Sequence, residues 1–332
     1  MPNYATIIKR GLLVVGIVIL ILFITTLDFQ SIVESMQALK LSTLLLLVGI
    51  TLLLTFLNIA IKAYRWKILV YKTSRVTIPT LFSFNSILAG VAAASFLPGR
   101  IEMVKPLLLK TEYDVPLSKS FSALVLDRVL DLLFLILILA VCLLFIPLPG
   151  FISFTTIAIL SGIVIIATLA FILFPRLILT LFNRIIQLFP FSDNFKAKTN
   201  HFMAEIILSF TILASRKAAL LLGISSLLAN VLEVVRFYYL LQLLGIPASL
   251  ALTGFVFTVS ILLGIITAIP GGIGVTELSA ATIIEKTIFT PGSLTKTAVL
   301  LDRIISYYFI ILLGALILIF QGYFLKIKKV KS

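Results

Sequence analysis

The chain has 332 residues, 61% of them hydrophobic and only 12% charged, with a mean hydropathy of +1.23. A soluble globular chain carries about 45–50% apolar and about 25% charged residues, so most of this one is kept out of water and little is left for a separate soluble catalytic domain. The 27 Lys plus Arg against 13 Asp plus Glu read as membrane topology and not as a nucleic-acid surface, because basic residues collect on the cytoplasmic side of membrane spans. A single cysteine, Cys142, and a single histidine, His201, exclude an intrachain disulfide and multi-ligand zinc motifs. No GxxxxGKS/T phosphate loop is present, so no metal, cofactor or bound nucleotide is expected.

In chain order, Lys9-Arg10 precede an apolar run, residues 11 to 27, that has the polarity of a signal sequence but no small-x-small cleavage site; it is expected to be an uncleaved first span. Further spans are expected at residues 41 to 61, 119 to 146, 151 to 174, 218 to 244 and 297 to 321, each long enough to cross about 30 Å of hydrocarbon. Two other apolar stretches are interrupted: residues 78 to 118 at Pro98-Gly99, and residues 249 to 290 at Pro270-Gly271-Gly272. Proline removes a donor and glycine weakens a helix, and broken backbone at membrane depth is tolerated only beside protein or water. Both stretches are therefore expected to be re-entrant helical hairpins. The fold class is an all-α polytopic membrane protein of about six transmembrane helices plus two re-entrant hairpins.

Charge supports that layout. With both termini cytoplasmic, 21 of the 27 basic residues fall inside: at the N-terminus, in the loops Lys62 to Arg75, Arg100 to Lys119 and Arg176 to Lys217, and in the tail. Residues 175 to 217 form a cytoplasmic loop whose Leu177, Ile178, Leu181, Phe182, Ile185 and Ile186 repeat at helical spacing, as in a helix lying on the bilayer. The basic tail Lys326 to Lys331 suits anionic lipid head groups. Cysteines placed at Ser35 and Ser293 should be labelled from outside, and cysteines at Ser74, Ser192 and Ser332 from inside. Labelling of Ser293 from inside would remove the topology on which the following repeat rests.

The chain repeats itself. Ala123-Leu-Val-Leu-Asp127-Arg128-Val-Leu-Asp131 reads against Ala298-Val-Leu-Leu-Asp302-Arg303-Ile-Ile-Ser306, at an offset of 175 residues. The Pro-Gly breaks recur upstream, and so does a span end running from Asn58 to Arg65 and from Asn230 to Arg236. The spans place residues 1 to 150 and 151 to 332 in opposite orientations. Inverted repeats whose broken helices meet near the midplane are the architecture of secondary transporters.

Asp127, Arg128, Asp131, Glu233, Arg236, Glu277, Asp302 and Arg303 lie in apolar segments, where each charge costs about 2.5–3.5 kcal/mol on insertion scales. They must pair or face a wet cavity. Asp127, Asp131, Glu233, Arg236 and Asp302 are expected to be structural ion pairs or coupling residues. Arg100, Arg128 and Arg303 are candidates for a phosphate, which guanidinium binds bidentately. The loop Pro98-Gly99-Arg100-Ile101-Glu102 sets an arginine beside backbone donors at a helix start, a natural anion site. Gly271, Gly272 and Gly274, followed by Glu277, would let a head group approach backbone closely.

These motifs resemble the lysylphosphatidylglycerol synthase transmembrane region, or flippase-like, family of prokaryotic membrane proteins. The resemblance runs through Leu97 to Leu109, Leu126 to Leu133, Pro270 to Leu278 and Leu301 to Leu313. The chain departs from the family pattern in lacking a second glycine before Glu102 and in having Thr276 where an arginine commonly precedes the glutamate. The resemblance implies a prokaryotic inner-membrane protein that moves an anionic phospholipid, an aminoacyl-phospholipid or a polyprenyl-phosphate lipid between leaflets. It also implies association with a glycosyltransferase or lipid-modifying enzyme. The alternatives are a membrane-embedded lipid-phosphate transferase, with Asp127, Asp131 or Asp302 holding Mg²⁺, or a scaffold for a glycosyltransferase complex. An autonomous lysyl-lipid synthase is not expected, because no stretch has the composition of the soluble aminoacyl-transferase domain.

Overall fold

A computed structural model describes residues 40–97, 102–146, 173–187 and 192–331, together with positions 25, 159, 162 and 166. The expected spans 11 to 27 and 151 to 174 lie almost wholly outside the described residues, as do Pro98, Gly99 and Arg100. The described residues form helices and connecting turns, with no strand among them. Among the described residues, three helical stretches are long and apolar enough to cross a membrane: Leu41–Ser74, Arg216–Leu243 and Gly292–Phe320. Many large apolar side chains stay on the surface, among them Leu53, Leu137, Ile224, Leu312, Leu316 and Ile319. A surface of this kind is stable only against lipid, which makes the chain a multi-pass membrane protein.

Helix α1 spans Leu41–Ser74, well past the end expected at residue 61. At a rise of about 1.5 Å per residue it is about 51 Å long. The stretch read as a basic cytoplasmic loop from Lys62 is therefore helical. Its Ala63, Trp66, Leu69 and Val70 are buried at helical spacing, and Arg75 in the left-handed region closes it with an N–H to the Tyr71 carbonyl. Helices α2 (Thr80–Ala94) and α3 (Val104–Tyr113) flank the first Pro-Gly break. Both are too short to cross about 30 Å of hydrocarbon. Helix α4, Leu117–Leu143, follows. The residues expected as a loop contain α5 (Pro175–Gln187) and α6 (Asp193–Ser209). Leu177, Leu181 and Ile185 of α5 are exposed along one side, as an interfacial helix requires. α6, by contrast, joins the core through Ile206 and Ile207, and its Phe202 ring lies 5.3 Å from that of Phe121.

The second half repeats the order. α7 (Arg216–Leu243) is followed by α8 (Leu250–Ile266), a 3₁₀ turn at Pro270–Gly272, and α9 (Val275–Ile288). α10 (Gly292–Arg303), a π-helical turn at Ile304–Tyr308 and α11 (Phe309–Lys331) then run on as one long helix. Two apolar cores hold the bundle. One gathers Leu47, Leu139, Phe237, Leu241, Phe255 and Ile284, and the other Trp66, Leu69, Leu88, Leu124, Leu222 and Ile310. Along α1 the polar residues Thr51, Thr55 and Asn58 are buried between the ends that belong to each core.

The halves clasp each other through small residues. α2 of the first half packs on α11 of the second, where a Cβ on Gly314 would collide with the Leu88 carbonyl and sit 2.8 Å from Ala92 Cβ. α8 of the second half packs on α4 of the first, where a Cβ on Gly254 would lie 2.5 Å from Cys142 Sγ. Close backbone approach of this kind drives helix association where no water is available to be released.

Candidate functional site

Between the two cores lies a cavity of about 180 Å³ that both halves line. Its charged walls are Lys62, Glu102, Arg128, Glu233, Arg236, Asp302 and Arg303, with Asn58, Ser260, Ser306 and Tyr307 beside them. Such charges survive in an apolar bundle only as hydrogen-bonded pairs, and the two halves build those pairs in the same way.

In the first half Arg65, though only 1% exposed, is the organising cation. Its Nη2 lies 2.7 Å from Asp127 Oδ1, its Nη1 lies 2.6 Å from Asp131 Oδ1, and Nη1 also donates to Ser226 Oγ of α7 at 2.9 Å. Lys105, fully buried, reaches Asp127 Oδ2 and Glu102 Oε2, both at 2.8 Å, and stands 4.3 Å from the centre of the Trp66 ring. Arg128 pairs with Glu102 and approaches Asp131 at 3.8 Å.

In the second half Arg236 donates from Nε to Asp302 Oδ1 at 3.0 Å, and Arg303 Nε donates to Glu277 Oε1 at 2.7 Å. Arg65–Asp127 thus recurs as Arg236–Asp302, and Glu102–Arg128 as Glu277–Arg303. The equivalence stops at Lys105 and Asp131. Lys105 has no counterpart among the second half's ion pairs, and the position of Asp131 is taken by Ser306. The first half is a continuous web of five charges around Asp127, whereas the second holds two separate pairs.

The π-helical turn after Arg303 has a local purpose. Widening the helix to an i→i+5 bond, here Phe309 N–H to Ile304 carbonyl, lets Tyr307 and Tyr308 face the same pair. Arg303 Cζ lies 4.0 Å from the centre of the Tyr307 ring, and Tyr308 Oη donates to Glu277 Oε1 at 3.0 Å. Arg303 is held by one nitrogen and one ring face, while its Nη2 is buried with no hydrogen-bond partner among the described residues. Ser260 Oγ on the same cavity wall is likewise buried and unpartnered. Buried donors of this kind mark a place where a ligand or water completes the bonding.

The glycine-rich break caps the helix that follows it. Gly271, Gly272 and Gly274 do not line the cavity. The Gly274 N–H donates to Glu277 Oε2 at 2.7 Å, so the chain's own carboxylate takes the place at the start of α9 that an anion was expected to fill. Gly271, at φ +64°, leaves room for the Tyr307 hydroxyl, which a Cβ there would strike. Of the expected head-group ligands, Glu102, Arg128 and Arg303 meet at the cavity, Glu277 stands behind Arg303, and Arg100 lies outside the described residues. Glu233, Arg236 and Asp302, expected as structural or coupling residues, line the cavity too.

Reasoning from sequence missed Lys62, Arg65 and Lys105, all counted as loop charges. Lys62 Nζ bonds Glu233 Oε1 at 2.5 Å, and Asn58 Nδ2 donates to the Ala229 carbonyl at 2.5 Å. In both contacts the partner lies 171 positions further along the chain, the separation of Arg65 from Arg236 in the sequence repeat.

Comparison with known proteins places the chain among membrane proteins. A UPF0104 membrane protein of Methanothermobacter thermautotrophicus is 36% identical over 94 residues, a stretch that covers 28% of this chain and 28% of that protein. The family profile described as lysylphosphatidylglycerol synthase TM region matches residues 11–314. Since that match takes in both halves, every described helix up to the start of α11 and all the cavity's ion pairs, the chain belongs to the lysylphosphatidylglycerol synthase TM region family.

Proposed function

We propose that the chain is a flippase-like transporter that carries the phosphate of an anionic lipid through the central cavity while the acyl chains stay in the bilayer. The observation that carries this reading is the cavity itself. It is lined by Arg128 from the first half and by Arg236 and Arg303 from the second, and Arg303 has a buried donor without a partner among the described residues. The cavity is small, which suits a polar head group and not a whole lipid. Contacts between matching stretches of α1 and α7, Lys62 with Glu233 and Asn58 with the Ala229 backbone beside Asn230, are what a pseudo-two-fold axis through the α1–α7 crossing would give. That arrangement supports two inverted halves rocking about a fixed site. The short helices on either side of each Pro-Gly break fit re-entrant hairpins in this reading, and the termini are cytoplasmic in a prokaryotic inner membrane.

The transferase alternative is weaker. Asp127 is already paired with Arg65 and Lys105, Asp131 with Arg65 and Arg128, and Asp302 with Arg236, so these carboxylates are poorly placed to hold Mg²⁺. Arg100, two residues before Glu102 in the sequence, is a further phosphate ligand in this proposal. Purified protein in liposomes tests the reading: labelled phosphatidylglycerol should cross between leaflets chemically unchanged. Arg100→Ala should weaken apparent affinity by roughly 10- to 150-fold, the equivalent of losing a charge-assisted hydrogen bond. Unchanged affinity would remove Arg100 from the site, and protein-dependent chemical modification of the lipid without crossing would favour the transferase.

A further inference from the structure

A buried serine or threonine in an apolar helix has a ready outlet for its hydroxyl, the carbonyl one turn back. Thr51, Ser86, Ser122 and Thr253, each 2% exposed or less, take it, with the hydroxyl 2.7–2.9 Å from the carbonyl four residues earlier. Ser260 on α8, 1% exposed, does not. Its Oγ is buried on the cavity wall with no partner among the described residues. Thr258 Oγ1 is also buried and unpartnered, but Thr258 is not part of the cavity wall.

Arg303 is in the same condition, and its surroundings hold it there. Glu277 receives Arg303 Nε and the Tyr308 hydroxyl on Oε1 and the Gly274 N–H on Oε2. Bound at both oxygens, the carboxylate does not turn to form the two-nitrogen fork that arginine commonly makes with it. Nη2, with its two N–H bonds, is left buried and unpartnered among the described residues, on a side chain 8% exposed whose flat face lies on Tyr307. A cavity of about 180 Å³ has the volume of about six waters, so one small group entering it can meet both donors. The first half offers no equal of Ser260: α2, which precedes the first break as α8 precedes the second, gives the cavity only Ile87, Val91 and Ala94.

We infer that Ser260 and Arg303 form the subsite for the lipid phosphate, with Ser260 as the residue that selects for it. The inference rests on the transport reading above for the identity of the lipid. The Ser260 hydroxyl donates to one non-bridging phosphate oxygen and Arg303 Nη2 donates to another, and no proton changes hands. Donors carried by two different helices suit a tetrahedral group whose oxygens point in different directions. A carboxylate presents two oxygens in one plane, and the arginine edge that would bind both is already partly taken by Glu277. A hydroxyl kept for a ligand also leaves a signature of its own. Its removal should weaken binding and at the same time spare the empty protein an unmet buried donor, so affinity and stability should move in opposite directions.

The test measures equilibrium binding of radiolabelled dioctanoyl phosphatidylglycerol to the full chain in detergent micelles, beside thermal unfolding of the lipid-free protein. Ser260→Ala should weaken binding roughly 10- to 150-fold, the equivalent of one hydrogen bond to a charged group, and should melt no lower than the parent. Thr258→Val, which removes an unpartnered hydroxyl that is not on the cavity wall, should bind as the parent does. Dioctanoylglycerol, without phosphate, and decanoate, with a carboxylate, should displace the probe poorly, and inorganic phosphate only at much higher concentration than unlabelled lipid. Displacement by decanoate as readily as by the lipid overturns selection for phosphate. Inorganic phosphate as effective as the lipid overturns the lipid as the source of the group. Parent affinity in Ser260→Ala overturns the subsite, leaving Ser260 to meet a trapped water only, and the transport reading stands if labelled lipid still crosses between leaflets. A lower melting temperature for Ser260→Ala overturns it too, since the hydroxyl would then hold the fold together. The expected binding pattern without any leaflet crossing in liposomes supports the subsite and removes the transport reading.

Discussion

Replacing Arg303 with alanine is expected to destabilise the protein by about 3–5 kcal/mol, because it strands a buried carboxylate without its cation. Glu277 is fully buried, and its remaining partners would be the Tyr308 hydroxyl and the Gly274 N–H. The double variant Arg303→Met, Glu277→Gln removes both charges and should recover most of that loss, since an ion pair replaced by neutral groups of similar volume is often close to neutral in stability. Recovery of folding should not bring back lipid movement, because the free donor facing the cavity has gone. Arg303→Lys keeps the charge but loses the second nitrogen and the flat face that lies on Tyr307. It should fold and carry lipid with an affinity roughly 10- to 150-fold lower. Thermal unfolding of the purified variants, read beside leaflet movement at matched protein levels, separates the two roles. Normal movement in the double variant would mean that Arg303 serves packing alone.

Gly314→Leu is expected to have the other large effect. The obstacle to a side chain at this position includes the backbone oxygen of Leu88, which cannot rotate away, so α11 must lift from α2. Overpacking of this sort costs about 1–3 kcal/mol and sometimes more. Gly49→Ala provides the comparison, since nothing lies within 4 Å of a Cβ there. It should be neutral or slightly stabilising, as alanine is favoured over glycine in a helix by about 1 kcal/mol. Equal melting temperatures for Gly314→Leu and the parent protein would show that the α2–α11 seam is not close-packed.

Features with a distinctive local chemistry could be read from the sequence. The Pro-Gly breaks and the paired Asp-Arg dipeptides are legible because proline, glycine and charge are rare in apolar helices, and the structure joins the repeated Asp and Arg residues into equivalent ion pairs. Helix ends were less legible. Lys62, Arg65 and Lys67 look like an exit from the membrane by composition, yet α1 continues to Ser74 with one face buried. The spacing of Ala63, Trp66 and Val70 was the available signal, and it was masked by the basic residues between them. Lys105 gave no such signal. Composition alone does not tell a lysine that pairs with two carboxylates from one that reaches for water. At the second glycine-rich break the glutamate that caps α9 lies three residues downstream of Gly274, and by sequence alone it could equally have faced a ligand.

The reciprocal clasp, with α2 on α11 and α8 on α4, has a consequence for biosynthesis. A chain made from its N-terminus inserts α2 long before its partner exists, because the glycine that receives Leu88 stands at position 314. Until the last long helix leaves the ribosome, the first half carries the buried charges around Asp127 with only part of their enclosure. The Ser226 hydroxyl that completes the Arg65 network also belongs to the later half. The two halves are thus joint products of one folding event, and the interval between their synthesis is when the nascent protein depends most on the insertion machinery to shield its polar interior from lipid.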